Sequence, residues 1–528
     1  MPPSRGVYWR RRTVVGGLLA LAGYGAVRGV GALLPSGSSP DGTYVAPVPV
    51  QPLIRAENEQ PGTLDYSFPF EDEVTSKVAA YCAVDSAWRG QTVPIMASTE
   101  GSSISARAFR MGWYGGAGAR EVWRGGPFAG VAQVEPDRDS ETGVIECAWA
   151  PSFEVTIDES WTPGMYLFRI DSDDGGSTYV PLVVLDDRPA ELLVISSITT
   201  WQAYNEWGGA SLYYGPDGRA ESRAKVVSFD RPYEVSGSGH FFGGEFELVQ
   251  LVESLGYDVA YTTNLDFHAR PEQATQGYKA IVSLAHDEYY SLEMRQALEA
   301  AREAGVNLMF LGANAIFRRI RLEPSTAGRP GRTMVNYRTA DSDPWYGTGD
   351  DARVTSEWRE EPARNPESAL VGNFYESNPC EGDMVIGDAE SWVFAGTGLR
   401  NGDRLEGLVG NEYDRVTPEE PTPANIQVLC HSPLVVRERP TFADMTYYTH
   451  GGAGAGVWAT GTLWWERKLG PLCDGADGQH TLECHVRRIT ANVLEVFTKG
   501  PAGATHPSVP NLAAFGIAAG YVDDPPPG

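Results

Sequence analysis

The sequence predicts two joined folds: an antiparallel β-sandwich, then an α/β domain built on a parallel sheet with β-rich elaborations. Three observations carry this. Between residues 62 and 187, strand-like segments recur at short intervals with turn residues between them and no helical period. From residue 190 onward, short apolar strands alternate with amphipathic helices, the pattern of a parallel sheet covered by helices. The chain has 528 residues, more than one ordinary core organises, so two or three domains are expected.

At the start, Arg10, Arg11 and Arg12 precede an apolar run to about Leu34, interrupted by Arg28. A basic stretch before an apolar one is the pattern of an export signal, and the paired arginines resemble the twin-arginine type. Residues 1–34 are therefore expected to direct export, to be cleaved or kept as an N-terminal anchor, and to lead to secretion or the cell surface. No other stretch reaches the ~18 apolar residues a membrane helix needs. Residues 35–61, rich in Pro, Ser and Gly, read as a linker.

Within the expected sandwich, residues 62–187, strand composition or alternation is found at 91–97, 104–111, 154–157 and 165–170. Within the α/β domain, residues 188–500, the short apolar strands are 192–195, 226–229, 258–261, 280–284 and 307–311. Leu248, Leu251, Val252 and Leu255 recur at helix spacing before Gly256. Ser291 can cap a helix carrying Met294, Ala297, Leu298 and Ala301, stopped by Gly305. Residues 332–467 return to strand-like segments and long loops, an elaboration at the sheet edge. Leu482, Val486, Ile489, Val493 and Phe497 form a last amphipathic helix, and the Pro-rich residues 501–528 read as a tail.

Asp and Glu number 69 against 42 Lys and Arg, a formal net charge of -27. Such a surface repels phosphate backbones and excludes nucleic acid as an expected partner. Six cysteines in an exported chain suggest disulfides. Cys473 with Cys484, Cys82 with Cys147, and Cys380 with Cys430 are the expected pairs among the ~15 full pairings that six cysteines allow. None shows the C-x-x-C spacing of a zinc site.

In an open α/β sheet, ligands bind beyond the carboxyl ends of the strands. Three loops there have unusual content: Thr200-Trp201-Gln202-Ala203-Tyr204-Asn205-Glu206-Trp207-Gly208-Gly209, then Asp230-Arg231-Pro232-Tyr233, then Ala285-His286-Asp287-Glu288-Tyr289-Tyr290. Asn314 closes the next strand. In extended backbone, residues i and i+2 share a face, so His286 and Glu288 are expected to enter one cavity. Phenolate and carboxylate oxygens suit a hard ion such as ferric iron. Such an ion polarises an amide carbonyl and acidifies water, His serves as general base or acid, and Asn or Gln donates to a developing oxyanion. A glutamine amidotransferase would need a nucleophilic Cys, and none lies between Cys147 and Cys380. No G-x-S-x-G stands on a strand-to-helix turn, which argues against an α/β-hydrolase. The rival reading is a non-catalytic surface module that binds carbohydrate or another polymer, with Trp201, Trp207 and Tyr213 as an aromatic platform.

The first and third loops, together with Arg231-Pro232-Tyr233 and Gly312-Ala313-Asn314, resemble the C-terminal domain of the N,N-dimethylformamidase large subunit over residues 190–499. Arg110-Met111-Gly112-Trp113-Tyr114-Gly115-Gly116 resembles the signature of the β-domain that precedes it. The resemblance implies a class I glutamine amidotransferase-like fold without its Cys, and hydrolysis of an amide C–N bond in a small molecule. It implies a mononuclear Fe(III) held by Tyr204, Tyr233 and Glu288, with His286 and Asn314 as catalytic or adjacent groups. Glu412, in Gly410-Asn411-Glu412-Tyr413-Asp414, is the expected second glutamate. The family's enzyme also has a separate small subunit, which this chain does not encode. With an export signal added, the chain is expected to be a relative with a different substrate, its assembly as a homo-oligomer left open.

Overall fold

The computed structural model describes residues 53–234, 236–417, 420–469 and 481–517. The expected export signal and most of the expected linker lie outside them. Within Gln51–Gly528 the chain packs as one compact unit. No helix among the described residues is long and apolar enough to cross a membrane.

The first part of the chain forms two sheets around a shared apolar core. One has the order Ser86–Ala87, Ser177–Val184, Gly164–Ser172, Ser103–Met111, Ala119–Ala129; the other has Val78–Cys82, Thr92–Thr99, Phe153–Thr156. Alternate residues of both, such as Val78, Ala80, Ile95, Ile104, Phe153, Phe168 and Leu182, meet in one cluster, the period-2 burial expected of half-covered strands. Pairing is antiparallel throughout, except that Ser86–Ala87 joins Ser177–Val184 in parallel.

The second part is mixed α/β. Its seven-stranded sheet runs Val259–Thr263, Leu192–Ser196, Ala280–Ser283, Asn307–Phe310, Gly456–Ala459, Arg439–Thr449, Gln427–Val436. The first five strands are parallel and the last two antiparallel. The parallel strands are buried along their length, as apolar runs covered on both faces must be. The helix Leu292–Glu303 begins at Ser291, whose hydroxyl accepts Met294 N–H at 3.2 Å. The helix Leu482–Phe497 buries Val486, Ile489, Val493 and Phe497 on one stripe.

Several expectations are corrected. The strand Val226–Ser228 is not part of the central sheet. It pairs antiparallel with Thr333–Val335 in a separate three-stranded sheet, so the loop after it does not leave a parallel strand end. The end of the expected linker is the helix Leu53–Asn58, held by fully buried Ile54. The expected tail is seated as far as residue 517, with Ala502 and Leu512 buried.

Cys82, Cys147, Cys380 and Cys430 are free buried thiols. Neighbours on a strand face opposite ways: Tyr81 packs with Cys147, while Cys82 points into the core between the two sheets. The Cys430 backbone pairs with Ile386, whereas Cys380 lies on the strand Phe374–Val385 opposite Asn411. The third expected pair includes Cys473, which lies outside the described residues.

The two parts are joined by a buried ion pair. Arg110 of the first donates to Glu253 of the helix Phe246–Ser254 at 2.8 and 3.1 Å, and both side chains are sealed from solvent. Tyr261 and Asn58 complete the carboxylate's hydrogen bonds at 2.7 and 2.8 Å, and Tyr114 reaches Glu57 at 2.7 Å. The motif from Arg110 to Gly116 is this joint. A bidentate, fully bonded geometry is what makes such a burial tolerable.

Candidate active site

Leu192–Ser196, Ala280–Ser283 and Asn307–Phe310 are adjacent and parallel, so their following loops emerge side by side. Two of those loops turn through left-handed residues, Ala285 at φ 46° and Asn314 at φ 58°. They close on each other at Gly312, where a Cβ would stand 1.9 Å from the Ala285 carbonyl oxygen. Only glycine permits that approach.

After the Ala285 turn, side chains alternate. Asp287 turns inward to Ser283 and Tyr290 hydroxyls at 2.9 and 2.6 Å and to the Asn264 amide at 3.2 Å. Burial still raises its carboxyl to about 6. His286 and Glu288 turn the other way, with Nε2 and Oε2 3.4 Å apart. The backbone N–H of Glu288 donates to Thr200 Oγ1 at 2.9 Å, which ties this loop to the helix Ile198–Tyr204.

Tyr204, at the end of that helix, places its hydroxyl 3.0 Å from His286 Nε2 and 3.3 Å from Glu288 Oε2. Tyr213 donates to the same Oε2 at 2.6 Å. The two phenol rings stack at 4.2 Å, and the Arg338 guanidinium lies 4.1 Å over Tyr213. Leu212 N–H donates to Ala203 O at 3.0 Å, which folds the Tyr213 turn back onto the helix. Glu412, from the strand Arg404–Arg415, stands 3.9 Å from His286 Nε2. Asn314 and Asn378 amides hold its carboxylate at 2.8 and 3.2 Å, and the Asn314 backbone N–H donates to Asp414 at 2.8 Å.

The charges are set by burial against these partners. Burial alone would raise Glu288, but the His286 hydrogen bond and the nearby Arg318 and Arg338 hold it well below the carboxylate range. Burial would lower His286, but Glu412 and Glu288 lift it to about 9. Glu412 is raised by burial and by Glu288. Tyr204 and Tyr213 are both pushed well above 10 by burial and by Glu288. His240 faces the group from the far side of Tyr204, its ring 6.0 Å from that phenol, and burial lowers it to about 4.

The structure thus gathers Tyr204, His286, Glu288, Asn314 and Glu412. It does not bring Tyr233 to them. The Tyr233 hydroxyl is buried without a hydrogen bond, its ring packs on Trp201, and its charged neighbours are Asp85, Arg332 and Arg231. The cause is the placement of Val226–Ser228 outside the central sheet. His240, Arg318, Arg338 and Asn378 were not among the expected site residues, and Tyr213 was expected only as part of an aromatic platform. Only Tyr213 carried a signal, standing nine residues after Tyr204 in a second aromatic pair with Tyr214. Nor does an aromatic platform form: Trp201 is 2% exposed and donates its indole N–H to Glu245 at 2.8 Å.

Among the described residues no three or more His, Cys, Asp or Glu side chains are grouped to hold a metal. The donors that do meet are two phenol oxygens and one carboxylate, a hard oxygen set that fits ferric iron.

A family profile described as N,N-dimethylformamidase beta subunit-like, C-terminal, matches residues 105–479. The match begins inside the strand Ser103–Met111, well before residue 190, so it crosses the Arg110–Glu253 joint. The N,N-dimethylformamidase beta subunit of Alcaligenes sp is 23% identical over 446 residues, covering 67% of this chain and 55% of the relative. The chain therefore spans about half the length of that curated relative. A Paenibacillus sp. cycloisomaltooligosaccharide glucanotransferase is similar at 10% identity, covering 74% of this chain and 68% of its own, but its TM-score of 0.15 carries no argument. With the profile matched over residues 105–479, most of this chain, the chain belongs to the N,N-dimethylformamidase beta subunit-like C-terminal family.

Proposed function

We propose that this chain is a metal-dependent hydrolase that cleaves the C–N bond of a small amide. The observation that carries the reading is the meeting of Tyr204 and Tyr213 oxygens on one oxygen of Glu288, beside His286 and Glu412. The relative's name supplies the reaction class. Tyr204, Tyr213 and Glu288 are the residues that would hold ferric iron, with Tyr213 in the place the sequence assigned to Tyr233. When bound, the ion supplies Lewis acidity toward the amide carbonyl and toward water.

The remaining groups divide the proton transfers. His286 Nδ1 stands 3.3 Å from the Ala313 carbonyl, which fixes a proton on Nδ1 and leaves Nε2 to exchange one. The Glu412 carboxylate takes a proton from water as the water oxygen bonds to the carbonyl carbon. His286, held as its cation by Glu412 and Glu288, gives its Nε2 proton to the nitrogen as the C–N bond breaks, so an amine and a carboxylic acid leave. Asn314 and Asn378 orient Glu412 rather than the substrate.

The test is iron analysis of the purified protein together with amine release from a panel of small N-alkyl amides. Iron bound near one equivalent per chain, with amine release that His286→Gln abolishes, supports the reading. Protein that takes up no iron, or iron-loaded protein that releases no amine, overturns it.

A further inference from the structure

Glu466 lies outside the candidate catalytic set but directly behind it. It follows the strand Gly456–Ala459, in the turn Glu466–Lys468, and is 1% exposed. Its Oε1 accepts the backbone N–H of Ala285 at 2.7 Å, and its Oε2 is buried without a hydrogen bond. Ala285 is the residue before His286 and stands at φ 46°, a region that residues with a Cβ rarely adopt. Its carbonyl is shut against Gly312, and on another side a Cβ added at Gly244 would meet Ala285 Cβ at 3.0 Å and Glu466 Oε2 at 3.3 Å. The turn has no room to relax in those directions, and its N–H has this one side-chain acceptor.

A buried carboxyl is a costly way to fill space, and an apolar side chain of that size would pack with no unpaired oxygen. Its oxygen earns its place only through the bond to Ala285. We infer that Glu466 is a positioning residue, holding Ala285 left-handed so that His286 and Glu288 reach Tyr204 and Tyr213. Burial raises the Glu466 carboxyl well above its ordinary range, and a carboxamide of the same shape keeps the oxygen that accepts the Ala285 N–H.

The kinetic half of the test rests on the proposed hydrolysis; the structural half does not. Full-length protein with Glu466→Gln, which keeps the acceptor, and with Glu466→Leu, which removes it, is compared with the unaltered chain. Glu466→Met, flexible and also lacking an oxygen, replaces the Leu variant if that does not fold. Expected for the acceptor-free variant is a kcat at least tenfold lower with KM within twofold, and exchange of the Ala285 amide hydrogen at least tenfold faster. The Gln variant should restore both to within about threefold. If Ala285 exchange is unchanged without the acceptor, or if Gln fails as badly as Leu, the inference is wrong. If exchange responds as expected while the unaltered chain releases no amine, the proposed reaction fails and the positioning role stands.

Discussion

Tyr213 donates to Glu288 Oε2 at 2.6 Å, and Tyr204 stands 3.3 Å from the same oxygen. Two phenols sharing one carboxylate oxygen in a buried site is an arrangement that metal uptake would reorganise, since each phenol that loses its proton becomes an anionic ligand.

Tyr213→Phe should therefore lower iron content and weaken any visible phenolate-to-iron absorption band. Tyr204→Phe should act in the same direction. Tyr233→Phe should leave both unchanged, because its hydroxyl makes no hydrogen bond to this group. The visible spectrum and iron per chain of the three variants check this; a band lost only in Tyr233→Phe would restore the sequence-based assignment.

His286→Gln should keep iron and lower kcat by about 10²–10⁴, the usual range for a lost proton-transfer group. Asn378→Ala should lower kcat about tenfold with little change in KM, because it frees Glu412 rather than the substrate. Steady-state kinetics with iron determined for each sample separate these effects from metal loss.

Glu245 gives a pH prediction that is independent of metal. Burial raises its carboxyl from 4.5 to about 8, against hydrogen bonds from Ser197 and Trp201. Between those values the unfolded chain has released this proton and the folded chain keeps it. Its contribution is thus fully present below pH 4.5 and is lost as pH rises to about 8, at up to roughly 1.4 kcal/mol per pH unit. Glu245→Gln should flatten that part of the stability profile in denaturant melts at several pH values.

Arg110→Met should destabilise the fold by about 3–5 kcal/mol, since it leaves Glu253 charged and buried without its cation. Adding Glu253→Leu should recover part of that loss. Chemical denaturation of the single and double variants measures the coupling; strict additivity would mean the pair does not hold the joint.

Cys82, Cys147, Cys380 and Cys430 should all react with a thiol reagent once the protein is denatured without reductant. Fewer than four reactive thiols would mean that one of them is bridged.

The central strands and the last helix were legible in the chain because their signals are local. Apolar runs of strand length, Ser291 before a helical period, and the stripe from Leu482 to Phe497 each report their own burial. The His286-Asp287-Glu288 alternation was legible for the same reason: period 2 is a property of extended backbone itself. Residues whose roles depend on which strands become neighbours were not legible. Val226–Ser228 has a strand's composition in either sheet, and only its pairing with Thr333–Val335 sends Tyr233 away from the site. Cys82 and Cys147 lie in one part of the chain, yet a single-residue alternation on Val78–Cys82 points them apart. Glu412, on a strand of a separate two-stranded sheet, and Glu466, after the strand Gly456–Ala459, lie more than a hundred residues beyond His286, and only the packing of those elements brings them back beside the His286 loop. What the sequence alone determined is therefore each segment's periodicity and which side chains share its face. Which faces meet was decided by tertiary structure, because close packing of the whole core selects one set of neighbours from many that local preference allows equally.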